Sequence, residues 1–131
     1  LFVRIAPAVQ QKAFLTSGMA FLLCTGLTGV FYILKYYQPS LEGYAELTLD
    51  LHAMVALYGW NLSGLFIIIR WHDFPIKLNS ALALTLHWSI VLVLAPLAKY
   101  LPVLGLLAEV AYIALLFVVF MGRAGQKAVA R

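Results

Sequence analysis

The chain has 131 residues, 64% of them apolar and 11% charged, with a mean hydropathy of +0.96. Soluble domains carry roughly 45–50% apolar and about 25% charged residues, so most soluble folds are excluded and there is apolar length for about four bilayer spans of about 20 residues each. The net charge of +4 and pI near 9.4 call for no nucleic-acid partner, because Lys and Arg collect in the cytoplasmic loops of membrane proteins.

Residues 1–12 (LFVRIAPAVQQK) begin with Leu1 rather than Met and lack the basic start, apolar core and Ala-x-Ala exit of a cleavable signal peptide. From Ala13 to Leu34 there is no charged residue. The same is true from Leu51 to Ile69 and from Leu78 to Ala98, while Tyr100 to Gly122 carries only Glu109. The expected fold is an all-α integral membrane protein, one transmembrane domain over residues 1–131, with helices at about 13–35, 49–70, 78–98 and 101–122 in an up-down bundle.

The first connection, YYQPSLEGYAELTLD, holds Pro39, Gly43 and the carboxylates Glu42, Glu46 and Asp50, and predicts an amphipathic turn at the membrane surface. The second, RWHDFPIK, is short and polar; His72 beside Asp73 reads as a solvated loop residue. The third, around APLAKYLP, has Pro96 and Pro102 on either side of Lys99 and predicts a tight helical hairpin. With a cytoplasmic N-terminus, that side collects Arg4, Lys12, Arg70, Lys77, Arg123, Lys127 and Arg131, leaving Lys35 and Lys99 outside. This distribution puts both termini in the cytoplasm. Trp71, Tyr36, Tyr37 and Tyr100 fall at span ends, where aromatic anchors belong.

On the first helix, Gly18, Thr25 and Gly29 form one stripe with Gly26 beside it, a pattern that lets helices approach closely in lipid. Cys24 lies mid-span as an inert core residue, and as the single cysteine it excludes an intramolecular disulfide. On the second helix His52, Gly59 and Ser63 fall on one line. An imidazole above a column of small side chains could serve as an axial metal ligand with a groove for a planar tetrapyrrole. The plainer alternative is an interfacial His52 bonded to water or to Asp50, with the small residues packing. Asn61 lies on the opposite face, so the helix has no purely apolar side and is expected to be surrounded by protein.

On the third helix His87 lies near mid-membrane and is a second candidate ligand. On the fourth, Glu109 is at matching depth across the hairpin, so the two are expected to form a buried hydrogen-bonded pair. A lone ionised carboxylate there would cost several kcal/mol, so Glu109 should be protonated or bonded to His87, Tyr112 or another chain. His52 and His87 differ in depth by roughly 13 Å in a symmetric hairpin and are not expected to share one iron. No nucleotide-binding, H-E-x-x-H or C-x-x-C motif occurs, and no Arg-rich helix or filter sequence suggests a channel.

The stretch Leu51–Arg70, LHAMVALYGWNLSGLFIIIR, resembles the second helix of haem-copper oxidase subunit I and of short bacterial membrane proteins related to it, through His52 near the outer end and the Gly59-Trp60 pair. The resemblance implies that His52 is an axial ligand of a low-spin haem. The doubled histidine often found there is missing, and 131 residues leave no room for a copper site or second haem, so a catalytic oxidase subunit is not expected.

These features lead to a subunit, not catalytic alone, of a respiratory or photosynthetic electron-transfer complex in the bacterial cytoplasmic membrane. It would bind haem b or (bacterio)chlorophyll through His52, with other membrane subunits, lipid and a quinone as partners. Two alternatives stay open. One is a cofactor-free accessory subunit whose glycine stripes and Asn61 hold neighbouring chains; the other is a small proton-conducting or transport subunit using His87 and Glu109.

Overall fold

The computed structural model describes residues 9–72, 74 and 76–122. Among the described residues four helices are long and apolar enough to cross a membrane: α1 (Val9–Leu34), α2 (Pro39–Ile69), α3 (Ser80–Leu97) and α4 (Pro102–Met121). The elements are helical throughout the described residues. In hydrocarbon a helix satisfies its own backbone, so apolar runs of this length take no other open form.

Local sequence sets the helix ends. Asn79 caps α3, its side-chain oxygen accepting from the N–H groups of Ala81 and Leu82 at 3.1 and 3.2 Å. Pro102 opens α4, where its missing N–H has no intrahelical partner to lose. At the other end of α4, Arg70 donates to the carbonyls of Phe120 and Gly122, placing a cation on the negative helix terminus.

Pro39 likewise opens α2, whose first turn, Pro39–Tyr44, is a 3-10 helix. The surface turn expected between the first two spans is therefore the beginning of α2. At 1.5 Å per residue the 31 residues of α2 extend about 46 Å, against about 30 Å of hydrocarbon. The surplus of about ten residues carries the carboxylates into the interface.

Two helices contain wide turns. Val55–Asn61 of α2 and Ile90–Leu94 of α3 are π-helical. The second has an evident cause: Pro96 has no N–H and its ring clashes with the carbonyl four residues back. The helix answers by bonding the Ala95 N–H to Ile90 O, five residues back, and continues through the proline to Leu97.

Neighbouring helices are antiparallel. Along the α1–α2 seam Gly18 meets Ser63 and Trp60, Phe21 covers Gly59, and Gly29 meets His52. The α2–α3 pairing runs from Glu46 and Lys99 at one end to Tyr58 and His87 in the middle. The α3–α4 hairpin brings Ala98 to Gly105. Residues 10 and 122 thus lie at the same end as Arg70 and Ile76. Residues 1–8 and 123–131, on which the expected position of the termini rests, lie outside the described residues, as does Asp73.

Two apolar clusters hold the bundle. Phe14, Leu62, Phe66, Phe74, Ala83, Leu115 and Val119 pack near the loop after α2. Phe21, Val55 and Val91 pack towards the centre with Trp60 and Trp88 around them. Phe21 stacks on Trp88 with ring centroids 4.0 Å apart, and the Trp88 indole N–H donates to Ser17 Oγ at 2.7 Å, so a buried polar tip is satisfied in the same contact.

Gly18 and Gly29 pack between helices as expected from the stripe, and Thr25 supplies a carbonyl to His52. Gly26 does not: no described residue lies within 4 Å of the Cβ it would carry, and it is exposed. Asn61 is exposed as well. The 100° arithmetic assigned them to a packed surface, but α1 meets α2 along one side only, and neither residue is surrounded within the chain.

Candidate functional site

His52 sits half-buried at the α1–α2 seam, its ring against Gly29; a Cβ at position 29 would lie 3.2 Å from Cε1. Its Nδ1 is 3.0 Å from the carbonyl oxygen of Thr25 and 3.3 Å from Thr28 Oγ1. A carbonyl only accepts, so Nδ1 carries the proton. In the neutral ring the lone pair then sits on Nε2, for which no hydrogen bond forms among the described residues. Metal-binding histidines share this disposition, with the far nitrogen anchored on a backbone carbonyl. The Thr25 carbonyl is not visible in the sequence as a partner, although a Thr-x-x-Thr-Gly run level with an interfacial histidine is a usable signal.

The column below His52 is not the open groove expected from its spacing. A Cβ on Gly59 would lie 2.5 Å from Phe21 Cδ1, so the glycine is already roofed by that ring. Ser63 is fully buried, donates to Gly59 O at 2.8 Å, and presses on Gly18. Gly59 and Ser63 are therefore packing residues of the seam, with no room for a macrocycle face.

His87 is fully buried. Its Nε2 donates to Tyr58 O at 2.6 Å, and the rings of Phe21 and Phe66 lie 5.1 and 6.2 Å from its own. Tyr58 belongs to the π-helical turn of α2, where regular i to i+4 pairing is interrupted and a carbonyl becomes available to a side chain. Nδ1 is buried without a hydrogen-bond partner. Enclosed between two aromatic rings, it offers no approach to a metal or macrocycle, so the ligand role expected for His87 does not fit its surroundings.

The expected His87–Glu109 pair is not formed. Depth was matched but facing was not: His87 turns into the α2–α3 contact, whereas Glu109 is exposed and lines a cavity with Tyr58 and Tyr112. The two histidines also stay apart. His87 meets α2 at Tyr58, six residues and about 9 Å along the helix from His52, a smaller offset than the roughly 13 Å of a symmetric hairpin but still too large for one iron.

At the surplus end of α2, Lys99 donates to Glu46 at 2.7 Å and lies 3.9 Å from Asp50. The hydrogen bond to Glu46, aided by the surrounding negative charge, raises the Lys99 pKa above the ordinary lysine value. His72 is exposed, as expected of a loop residue. Gln10 and Gln11, to which the sequence pattern assigned nothing, are buried and bind the 71–78 loop: Gln10 accepts from Ile76 N at 2.7 Å and donates to the carbonyls of Ile76 and Leu78, and Gln11 donates to Trp71 O at 2.9 Å.

Among the described residues no three His, Cys, Asp or Glu side chains come together in a way that would hold a metal ion. His52 remains as a single-ligand candidate. No family model, curated protein or solved structure matches the chain.

Proposed function

We propose that the chain is an integral subunit of a bacterial electron-transfer complex, respiratory or photosynthetic, in which His52 offers Nε2 as a single axial ligand to a tetrapyrrole, haem b or a (bacterio)chlorophyll. The observation that carries this reading is the hydrogen bond from His52 Nδ1 to Thr25 O, because it fixes the tautomer whose Nε2 lone pair can ligate. A haem or chlorin held there would supply one-electron or excitation transfer. This chain's contribution is to orient the imidazole: the Thr25 carbonyl accepts the Nδ1–H, and Gly29 gives the ring its place.

Because Phe21 fills the seam beneath His52, the rest of the macrocycle's pocket has to come from a neighbouring membrane subunit. On this reading both termini face the cytoplasm, as the basic residues favour. The test is an absorption spectrum of the isolated complex, oxidised and reduced, with wild type and His52→Ala. Loss of the chromophore in an inserted His52→Ala bundle supports the proposal; a wild-type complex with no tetrapyrrole band overturns it.

A second reading, a cofactor-free accessory subunit, is favoured by the filled seam together with the outward position of Gly26 and Asn61. Those residues would then meet neighbouring chains, and the wild-type spectrum would be colourless.

A further inference from the structure

Asn61 lies eight residues before the end of α2 at Ile69, about 12 Å along the helix, which puts it near the middle of about 30 Å of hydrocarbon. It is exposed, and its carboxamide makes no hydrogen bond to another described residue. Lipid tails neither donate nor accept, so both halves of the amide stay unsatisfied at that depth unless another protein meets them.

The residues around Asn61 form a seam. Leu57, Asn61, Gly64 and Ile68 follow one another at intervals of four, three and four, the spacing with which one helix packs along another. Leu57 and Ile68 are exposed like Asn61. Gly64 is half-buried, and a Cβ on it would meet no described atom within 4 Å, so a second backbone can come close there. No charged residue occurs from Leu51 to Ile69, and Arg70 is turned to the carbonyls of Phe120 and Gly122. The face therefore meets an identical one without like-charge repulsion.

We infer that α2 pairs with α2 of a second copy of this chain, Asn61 against Asn61. The same basic residues orient every copy alike, so the two-fold axis runs along the membrane normal and each residue lies at one depth in both copies. A carboxamide carries both donors and an acceptor. Two of them facing each other across the axis exchange N–H to O bonds and satisfy one another. A different subunit would serve only if it held a polar group at that level, whereas a second copy always does. The pairing goes beyond the proposed function and needs no tetrapyrrole, since the His52 ring lies on the other side of α2, against Gly29.

The test uses the full chain with Cys24→Ser and Gln126→Cys, labelled separately with donor and acceptor fluorophores and mixed in phosphatidylcholine vesicles over a range of protein-to-lipid ratios. Energy transfer should saturate and rise linearly with the acceptor fraction, as for a dimer. Asn61→Leu should need about tenfold more protein per lipid to associate, and Asn61→Gln, which keeps the amide, should stay within about threefold. Gly64→Leu should weaken association to a similar degree by holding the backbones apart. Asn61 has no bond within the chain to lose, so Asn61→Leu should keep the fold, as circular dichroism will show. In a Cys24→Ser background, oxidation should link Asn61→Cys chains in pairs but leave Val110→Cys, exposed on α4, unlinked. His52→Ala should associate as wild type, which separates failure here from failure of the tetrapyrrole reading. A chain that stays monomeric at every ratio, or unchanged association in folded Asn61→Leu, overturns the assignment. So does linking at position 110 in preference to 61, or a curved dependence on acceptor fraction, which would mean a larger oligomer.

Discussion

His87 reaches across from α3 to hold the carbonyl of Tyr58 on α2, 2.6 Å away, and this bond fixes the level at which the two helices meet. Removing the donor leaves a backbone acceptor stranded in an apolar interior. His87→Leu should therefore destabilise the bundle by about 1–3 kcal/mol, and His87→Gln, with an amide donor of similar reach, should recover part of the loss. Denaturant titration in mixed micelles measures both; equal stability of His87→Leu and wild type would show that the bond is dispensable.

Gly59 has no space for even a methyl group, since Phe21 already occupies the position of its Cβ. Gly59→Ala should cost about 1–3 kcal/mol through displacement of that ring, whereas Gly26→Ala, with open surroundings, should be nearly neutral. Thermal unfolding of the two variants side by side gives the comparison.

Gly29→Ala tests the seat of His52 more gently. The added methyl would lie 3.2 Å from Cε1, so the ring has to shift and its bond to Thr25 should lengthen. The expected result is a changed imidazole nitrogen chemical shift with little loss of helicity. An unaltered His52 signal would mean that the ring is not held by this contact.

Lys99 supplies a pH dependence. Its pKa is raised by Glu46, so the contribution of this ion pair is fully present below the ordinary lysine value and is lost as pH rises through the higher folded-state value. Both partners are well exposed, with side-chain accessibilities of 49% and 84%, so the effect on stability should be slight. The measurable outcome is the Lys99 titration by NMR, which should move down in Glu46→Gln.

Topology can be read by labelling single cysteines in a Cys24→Ser background. Positions 44 and 126 should react from opposite sides of the membrane, with 126 cytoplasmic. Reaction of both from one side would overturn the up-down arrangement.

The four spans were legible because hydrocarbon imposes them: charge-free runs of about 20 residues have few alternatives. The length of α2 was less legible, because Pro39 and the carboxylates look like a loop while being compatible with the first turns of a helix. Site geometry was legible only in part. Periodicity correctly put Gly18 and Gly29 on a contact stripe, but it assumes 100° per residue, and the π turn at Val55–Asn61 breaks that assumption between His52 and Ser63. The pairing of His87 failed for a related reason, since depth along a helix says nothing about which neighbour it turns towards. Thr25 and Tyr58 act through backbone carbonyls, which no residue type announces.

Gln10 and Ile76 are joined by hydrogen bonds across 66 positions of chain. On a ribosome α1 emerges before α2, and Gln10 cannot make its bonds to Ile76 and Leu78 until α2 and the loop behind it have followed. The N-terminal end of α1 must therefore wait in water or among lipid head groups while about 65 further residues are made, a delay of several seconds at about 5–20 residues per second. Only then can Gln10 and Gln11 close on the loop, so α1, although made before α2, acquires its last contacts only after α2 is complete.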